Sequence, residues 1–160
     1  MPRAPRMLIK DQPTVYHVMS RTCLPGYPLD DQQKEYLLAL IKRLSSFYFV
    51  EVLGFCLMGN HFHLLVRMLP SDNFDDAEVL RRHKLRLEAM GEDGSDVLLS
   101  PTQIAELRER WSSLSEYVGE LKQTFSHHYN RGHDRKGYFW NERFKSVIVE
   151  DGRTLVSCLA

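Results

Sequence analysis

Two histidines, His61 and His63, are separated by one residue in the stretch Cys56–Val66, which reads Cys-Leu-Met-Gly-Asn-His-Phe-His-Leu-Leu-Val. Side chains alternate between the two faces of a β-strand, so both imidazoles would point one way while Phe62 points the other. Two imidazoles about 7 Å apart on one strand face can bind a single metal ion. A His-x-His pair by itself is also compatible with structural histidines, so the spacing leaves both interpretations open.

The residues around the histidine pair predict a β-hairpin. Val50–Leu57 is near-continuously apolar, which is typical of a strand buried on both faces. Gly59-Asn60 suits a two-residue turn, and His61–Met68 predicts the returning strand, which ends before Pro70. The histidines are therefore expected directly after the turn.

The remaining elements follow from the spacing of apolar residues and from capping signals. In chain order, they are a strand at Thr14–Arg21, a helix from Asp30 or Asp31 to about Phe47, a helical stretch from Ser100 to about Asn130, a strand at Phe144–Val149, and a final helix from near Arg153 capped by Asp151. The order β-α-β-β-α-β plus a C-terminal helix predicts an α+β protein, a ferredoxin-like or split-βαβ sandwich whose antiparallel sheet carries the histidine strand. A parallel α/β sheet is the alternative, and the tight hairpin argues against it.

Length and composition narrow the class of protein. With 160 residues, 43% hydrophobic and 26% charged, the chain has the composition of one globular domain and is neither disordered nor a disulfide scaffold. The three cysteines show no ligand-like spacing, so we expect a reducing, cytoplasmic location. No apolar stretch is long enough to cross a membrane, so no membrane partner is expected.

The formal net charge of zero conceals a strong segregation of charge. Residues 70–120 carry six basic and twelve acidic side chains, whereas residues 121–148 carry six basic and two acidic ones. The basic tract also contains aromatic residues, and cations with aromatic rings suit phosphates and bases of nucleic acid. A solvated charged surface explains the charge equally well. The candidate DNA contacts are Lys122, Arg131, Arg135, Lys136, Arg143 and Lys145.

Four further histidines, at positions 17, 127, 128 and 133, allow a structural interpretation as well as a functional one. His127, His128 and His133 could suggest a second metal cluster, but neighbouring residues of a helix point in different directions, which favours phosphate contact or solvation. His17 could line the sheet near the histidine pair, although a structural role is favoured from the sequence.

Several blocks between about residues 14 and 158 resemble, in the same order, the single-tyrosine HUH transposases of bacterial insertion sequences, and most closely the REP-associated tyrosine transposases. HUH denotes histidine, a bulky hydrophobic residue and histidine. The matching blocks are Tyr16–Thr22, Met58–Val66 with its His61-Phe62-His63, Tyr129–Arg131 and Gly137–Ser146. Gly59 stands where the family usually has proline.

The resemblance implies a single HUH transposase domain over residues 1–160, with an acidic insertion at about 71–100. It implies DNA transposition and recombination on behalf of a mobile element, by cleavage and rejoining of single-stranded or hairpin DNA. A divalent metal, Mg²⁺ or Mn²⁺, would be held by His61, His63 and a polar residue of the last helix. A tyrosine of that helix would attack and give a 5′-phosphotyrosine. A homodimer is also implied.

The last helix is the point at which the sequence departs from the family. Alignment of the motif Tyr-x-x-x-Asn-Pro places the tyrosine at the first position beyond Ala160, so the catalytic helix is expected to be truncated and residues 1–160 to bind DNA without cleaving it. Tyr129 is the fallback nucleophile. Two alternatives stay open, namely a non-catalytic DNA-binding relative and a His-x-His metalloenzyme with a small substrate.

Overall fold

The computed structural model describes residues 8–141 and 143–149. The predicted final helix from near Arg153 lies outside these residues. The elements are β1 (Thr14–Arg21), α1 (Asp31–Ser45), β2 (Val50–Leu57), β3 (His61–Met68), α2 (Asp76–Ala89), α3 (Pro101–Trp111), α4 (Leu114–Gly132) and β4 (Lys145–Val149), with a short 3₁₀ turn at Ser71–Asn73.

The four strands form one sheet in the order β2-β3-β1-β4, and each neighbouring pair is antiparallel. β3 lies between β1 and β2, which α1 connects, and β1 lies between β3 and β4. This is the arrangement expected of a split-βαβ sandwich, so the predicted α+β fold is confirmed. The hairpin between β2 and β3 closes through a hydrogen bond from the Met58 amide to the His61 carbonyl at 2.8 Å.

The core lies on one side of the sheet, between the strands and the helices α1 and α4. Alternate strand residues such as Val18, Phe62 and Leu64 are fully buried there, as the two-residue period of a strand requires. Helix α1 begins where the Gln33 amide donates to the Asp30 side chain at 2.9 Å, so Asp30 is the cap. Leu37 of α1 then lies in the core. Neither α1 nor α4 covers the opposite face of the sheet.

The strand β2 corrects one prediction, because it is not buried on both faces. Among the described residues it pairs with β3 alone, and an irregularity between Val52 and Gly54 interrupts that pairing. Glu51, Phe55 and Cys56 are exposed. An apolar run therefore marked an edge strand here, since hydrophobicity alone does not report how many neighbours a strand has.

Three helices connect β3 to β4. Helix α2 matches the short helical run that the sequence predicts near residues 77–89, whereas the stretch predicted from Ser100 forms two helices, α3 and α4. Ser100 and Gln103 form a reciprocal capping box at the start of α3, with Pro101 in the first turn. The helical stretch then breaks at Ser112, and Ser113 caps α4 by accepting from the Glu116 amide at 3.3 Å. A second serine cap inside one apolar stripe explains why two helices form where the period suggested a continuous stretch.

The acidic segment at 71–100 packs against the body of the protein. Arg82 of α2 donates to the Phe47 carbonyl at 3.1 Å and to the Tyr48 carbonyl at 2.7 Å, and its guanidinium lies 4.8 Å from the Phe74 ring centroid. Arg86 pairs with Glu120 of α4. These contacts anchor the segment, so its acidic character does not make it a detached loop.

None of the helices in the described part of the chain is both long and apolar enough to cross a membrane.

Candidate functional site

The candidate site lies on the sheet face that α1 and α4 leave uncovered. Across the β1–β3 ladder, Arg21 lies opposite His61, and Met19 lies opposite His63. His17 is two positions before Met19 and therefore points to the same face. Phe62 between the histidines is fully buried on the other side. The predicted alternation is thus present, and the two histidines share a face.

Each histidine has one ring nitrogen held by a neighbour. The Nδ1–H of His61 donates to Oδ1 of Asn60 at 2.8 Å. His63 Nδ1 lies 3.0 Å from His17 Nε2, so one of these two nitrogens donates to the other. The rings of His17 and His63 are stacked with centroids 5.1 Å apart, and those of His61 and His63 meet edge to face at 5.1 Å.

This pattern determines which nitrogens can bind a ligand. Because Nδ1 of His61 carries a proton, its Nε2 has the free lone pair. If Nδ1 of His63 donates to His17, Nε2 of His63 is likewise a lone-pair donor. Histidines that bind metals usually have their second nitrogen held in this way, which fixes tautomer and ring direction. The donor set therefore fits two imidazole ligands of one metal ion.

The charge state of the pair agrees with a ligand role. Burial lowers the pKa of His61, and the cation of Arg21 lowers it further. Burial also lowers the pKa of His63, with added repulsion from His17 and His61. Both rings are therefore neutral near pH 7, as metal ligation requires. No group of three or more His, Cys, Asp or Glu within the described ranges is arranged to hold a metal, so a third ligand would have to come from elsewhere.

Two of the six predicted DNA contacts lie next to this face. Arg143 and Lys145 line a cleft of about 180 Å³ together with Arg21, and all three side chains are exposed. Lys145 lies opposite Met19 in the β1–β4 ladder, which places it on the face of the histidines. The structure thus adds Arg21 to the basic residues predicted from the sequence.

The other four predicted contacts lie elsewhere. Arg135 donates to Asn130 Oδ1 at 2.7 Å and to the Tyr138 carbonyl at 3.2 Å, so it braces the loop after α4. The ammonium of Lys122 is 5.8 Å from the Trp140 ring centroid. Arg131 and Lys136 are exposed near the C-terminal end of α4. The basic tract is therefore divided between a structural brace and two separate surfaces.

Tyr129 lies among core aromatic residues. It is 8% exposed, stacks on His133 with centroids 3.9 Å apart, and lies 4.6 Å from the Phe139 ring. This cluster belongs to the helix-covered side of the sheet, opposite His61 and His63. His128 stacks on Tyr36 of α1, His133 stacks on Tyr129, and His127 is exposed. The three histidines near the end of α4 therefore lie in different surroundings.

Asn60 and Arg21 were not identified as functional from the sequence, and His17 was named only as a residue that could line the same face. The alternation within Thr14–Arg21 could have placed His17 and Arg21 on one face, but only the register of β1 against β3 brings them to the histidine pair. Asn60 was interpreted as a turn residue alone, and its side-chain bond to His61 required the turn geometry.

A close contact at the hairpin turn accounts for Gly59. A Cβ at this position would lie 2.8 Å from Cδ1 and 2.9 Å from Cβ of Tyr27. The Gly59 carbonyl also accepts from the Leu29 amide at 2.9 Å. Glycine therefore lets the segment before α1 pack onto the turn that presents the histidines, with the Tyr27 ring left 79% exposed.

Comparison with known proteins gives a match in structure and none in sequence. No protein-family model matches the chain. No curated protein matches it either. A solved REP-associated tyrosine transposase bound to a REP hairpin aligns with a TM-score of 0.61 at 15% identity, over 99% of this chain and 68% of the other.

A second solved structure comes from Deinococcus radiodurans R1, a protein provisionally assigned as a transposase. It aligns with a TM-score of 0.50 at 13% identity, over 98% of this chain and 93% of the other. At these identities the likeness concerns the fold, and the order of strands agrees with the order expected from the sequence. The chain therefore has a fold like that of the solved REP-associated tyrosine transposase.

Proposed function

We propose that this chain binds single-stranded or hairpin DNA across the histidine face and, together with a divalent metal, takes part in DNA strand cleavage and rejoining as a transposase. One observation carries the proposal. His61 and His63 share the face that α1 and α4 leave uncovered, each with one nitrogen held by a neighbour, and the cations Arg21 and Lys145 lie on the same face. A phosphate bound there would meet both a metal site and basic side chains.

The metal would be held by Nε2 of His61 and Nε2 of His63. When bound, a divalent ion at these nitrogens supplies Lewis-acid polarisation of the scissile phosphate and offsets charge on its oxygens. Imidazole is a better ligand for Mn²⁺ than for Mg²⁺, which prefers oxygen ligands. We therefore expect Mn²⁺ to bind this pair more tightly than Mg²⁺.

The chain's own residues prepare the site. Asn60 fixes the tautomer and direction of His61, and His17 does the same for His63. Arg21 favours the neutral form of His61 and adds positive charge for the DNA backbone. The fully buried Phe62 anchors the strand between the two ligands, so both imidazoles are presented from a rigid sheet.

The nucleophile is the part of the proposal that depends on residues outside the site. In the family a tyrosine attacks the phosphate and keeps the phosphodiester energy in a 5′-phosphotyrosine, so no nucleotide cofactor is needed. The expected position is beyond residue 160. Tyr129, on the opposite side of the sheet, is a poor candidate. A homodimer also remains a prediction, which light scattering of the protein with and without DNA would test.

The experiment is a binding and cleavage assay with fluorescent hairpin DNA carrying single-stranded flanks. The chain is expected to bind this DNA at low salt and to lose affinity steeply as salt rises, because phosphate contacts release counterions. Absence of DNA binding combined with metal binding would instead support a small-substrate metalloenzyme.

The same assay with Mn²⁺ separates catalysis from binding. A strand break or covalent adduct that disappears in His61→Ala and persists in His127→Ala would support the transposase proposal, since His127 is an exposed histidine on α4. Because the expected tyrosine falls beyond residue 160, the assay is run on a protein that extends through a Tyr-x-x-x-Asn-Pro motif. DNA binding with no product from that protein at any Mn²⁺ concentration would favour the non-catalytic DNA-binding alternative.

A further inference from the structure

The ladder between β1 and the chain segment leading into β4 contains an irregularity next to the histidine face. Thr22 pairs with Trp140, and Met19 pairs with Lys145. Between these two pairs, β1 contributes Ser20 and Arg21, whereas the opposing segment contributes the four residues 141–144. The ladder is therefore irregular between these two pairs, as at a β-bulge.

The bulge opens a pocket of about 180 Å³ in the sheet. We call it the bulge pocket, and it is lined by Met19, Ser20, Arg21, Asn141, Arg143 and Lys145. The Asn141 amide donates to the Arg21 carbonyl at 2.9 Å, which fixes one wall. Bulges often re-aim side chains next to functional sites, and here three of the six lining residues are cations.

The charge of the bulge pocket is uncompensated within the described ranges. Arg21, Arg143 and Lys145 are exposed and form no ion pair with any described residue. No acidic residue is among the described residues that line the pocket. Such a concentration of like charge is unfavourable without an anion, so the pocket is suited to a negatively charged ligand.

We propose that the bulge pocket binds one internucleotide phosphate of single-stranded DNA, next to the phosphate held at the histidine pair. Arg21 belongs to the pocket and lies directly opposite His61 in the ladder, so the two sites are separated by about one or two strand spacings of ~4.8 Å. This separation suits neighbouring phosphates of one strand. The inference rests on the proposed function, and it adds Arg143 to Arg21 and Lys145 as residues that position the DNA.

A second cavity shows why exposed cations alone are not sufficient. A cavity of about 430 Å³ between the 3₁₀ turn and α3 contains Lys10 and Arg108. Arg108 is paired there with Asp76, and Glu109 also lines the cavity. Its charge is internally balanced, so it has no need of an anionic ligand.

The test measures binding of the fluorescent oligonucleotide dT15 to the whole chain over a series of salt concentrations. The variants are Arg143→Gln, Lys145→Gln and the double variant. The matched controls are Arg43→Gln, Lys42→Gln and their double variant, since both residues are exposed cations at the end of α1 on the opposite side of the sheet. Thermal unfolding of each variant verifies that it is folded.

If both cations contact one phosphate, the double variant loses about tenfold in affinity at low salt. The slope of the logarithm of the association constant against the logarithm of the salt concentration then decreases in magnitude by about 0.7. This is the value for one phosphate of a single strand. Separate phosphates would give a fall of about 1.4 and would overturn the single-phosphate pocket. The controls are expected to change affinity less than about twofold.

The same measurement with 5′-phosphorylated dT15 distinguishes the source of the phosphate. An internucleotide phosphate predicts the same loss with and without the 5′-phosphate, whereas a loss confined to the phosphorylated strand would assign the pocket to a terminal phosphate. If the pocket and control variants lose affinity equally, the pocket proposal is wrong while DNA binding stands. If the wild-type chain does not bind dT15 or the hairpin, the proposed function itself fails.

Discussion

Arginine is used in two different ways in two regions of this molecule. In the acidic segment and its neighbouring helices, Arg82 and Arg86 are partly buried and paired with carbonyls, aromatic rings or carboxylates. At the histidine face, Arg21 and Arg143 are exposed and form no ion pair with a described residue. The comparison shows that paired cations support the fold, while the unpaired cations beside the histidine pair are available to a negatively charged ligand.

The largest effect is expected for Arg82, one of the arginines whose guanidinium group is paired within the fold. Arg82→Ala removes two hydrogen bonds to the carbonyls of Phe47 and Tyr48 and the contact with the Phe74 ring. We expect a loss of about 2–3 kcal/mol in the free energy of unfolding, because a charged donor leaves buried acceptors without a partner. Urea denaturation measures the loss, and DNA affinity at a temperature where the variant is folded should be unchanged.

A stable Arg82→Ala protein with weakened DNA binding would contradict the claim that Arg82 supports the fold. In that case the cation of α2 would belong to a binding surface. Arg81→Ala is the matched control, because Arg81 is exposed and its ion pair among the described residues is with Glu78. We expect this variant to lose less than about 0.5 kcal/mol in the free energy of unfolding.

The next effect concerns the neighbour that orients a histidine. Asn60→Ala removes the acceptor for the Nδ1–H of His61 and frees the ring to rotate. A change in a residue that orients a ligand commonly costs about 10–100-fold in metal affinity, and we expect this range for Mn²⁺. Calorimetric titration with Mn²⁺ measures it, with the exposed Asn73→Ala as control. Equal affinities of the two variants would show that Asn60 has no orienting role.

A smaller effect is expected at the Gly59 turn. In Gly59→Ala the new Cβ must displace Tyr27, whose Cβ would lie 2.9 Å away, so we expect a loss of about 1 kcal/mol in stability. The double variant with Tyr27→Ala should recover most of this loss, because the clash is then removed. If the double variant is as unstable as the sum of both single variants, the contact with Tyr27 is not the reason for glycine here.

The smallest effect is the pH dependence of stability that arises from the ion pairs of Glu78 with Arg81 and Arg82. Hydrogen bonds from Arg81 and Arg82 lower the pKa of Glu78 from 4.5 to about 2. A lowered carboxyl pKa stabilises the folded state above about pH 4.5, and this contribution is lost as the pH falls towards 2. Because the pair is partly solvated, Glu78→Gln should remove only about 0.5 kcal/mol of that dependence. Urea midpoints of both proteins at pH 7 and pH 3 test the sign, and a larger deficit of the variant at pH 3 would contradict it.

Sequence patterns predicted the strands well because each strand has a clear boundary signal. Thr14–Arg21 and His61–Met68 have the bounds that their alternation and flanking residues predict. The apolar run of β2 suggested burial on both faces, whereas the edge position follows from the split-βαβ topology, because the run itself does not reveal how many strands will pair with it. The break at Ser112 was missed for a related reason, since the apolar stripe continues across it while a serine cap ends one helix and begins another.

The site was predicted in part, and the limit is long-range pairing. The alternation around Phe62 is local, so the common face of His61 and His63 could be inferred from the sequence. The approach of His17 to His63 depends on a register between residues 46 positions apart, which no local pattern encodes. The bulge pocket depends in the same way on a mismatch between two segments at opposite ends of the chain.

The central claim is that His61 and His63 form a metal site on a DNA-binding face, and Mn²⁺ binding followed by electron paramagnetic resonance tests it most directly. The signal of free Mn²⁺ should fall as the wild-type chain is added, and this fall should be lost in His61→Ala and in His63→Ala but kept in His127→Ala. Equal Mn²⁺ binding by the wild-type protein and both histidine-pair variants would contradict the account.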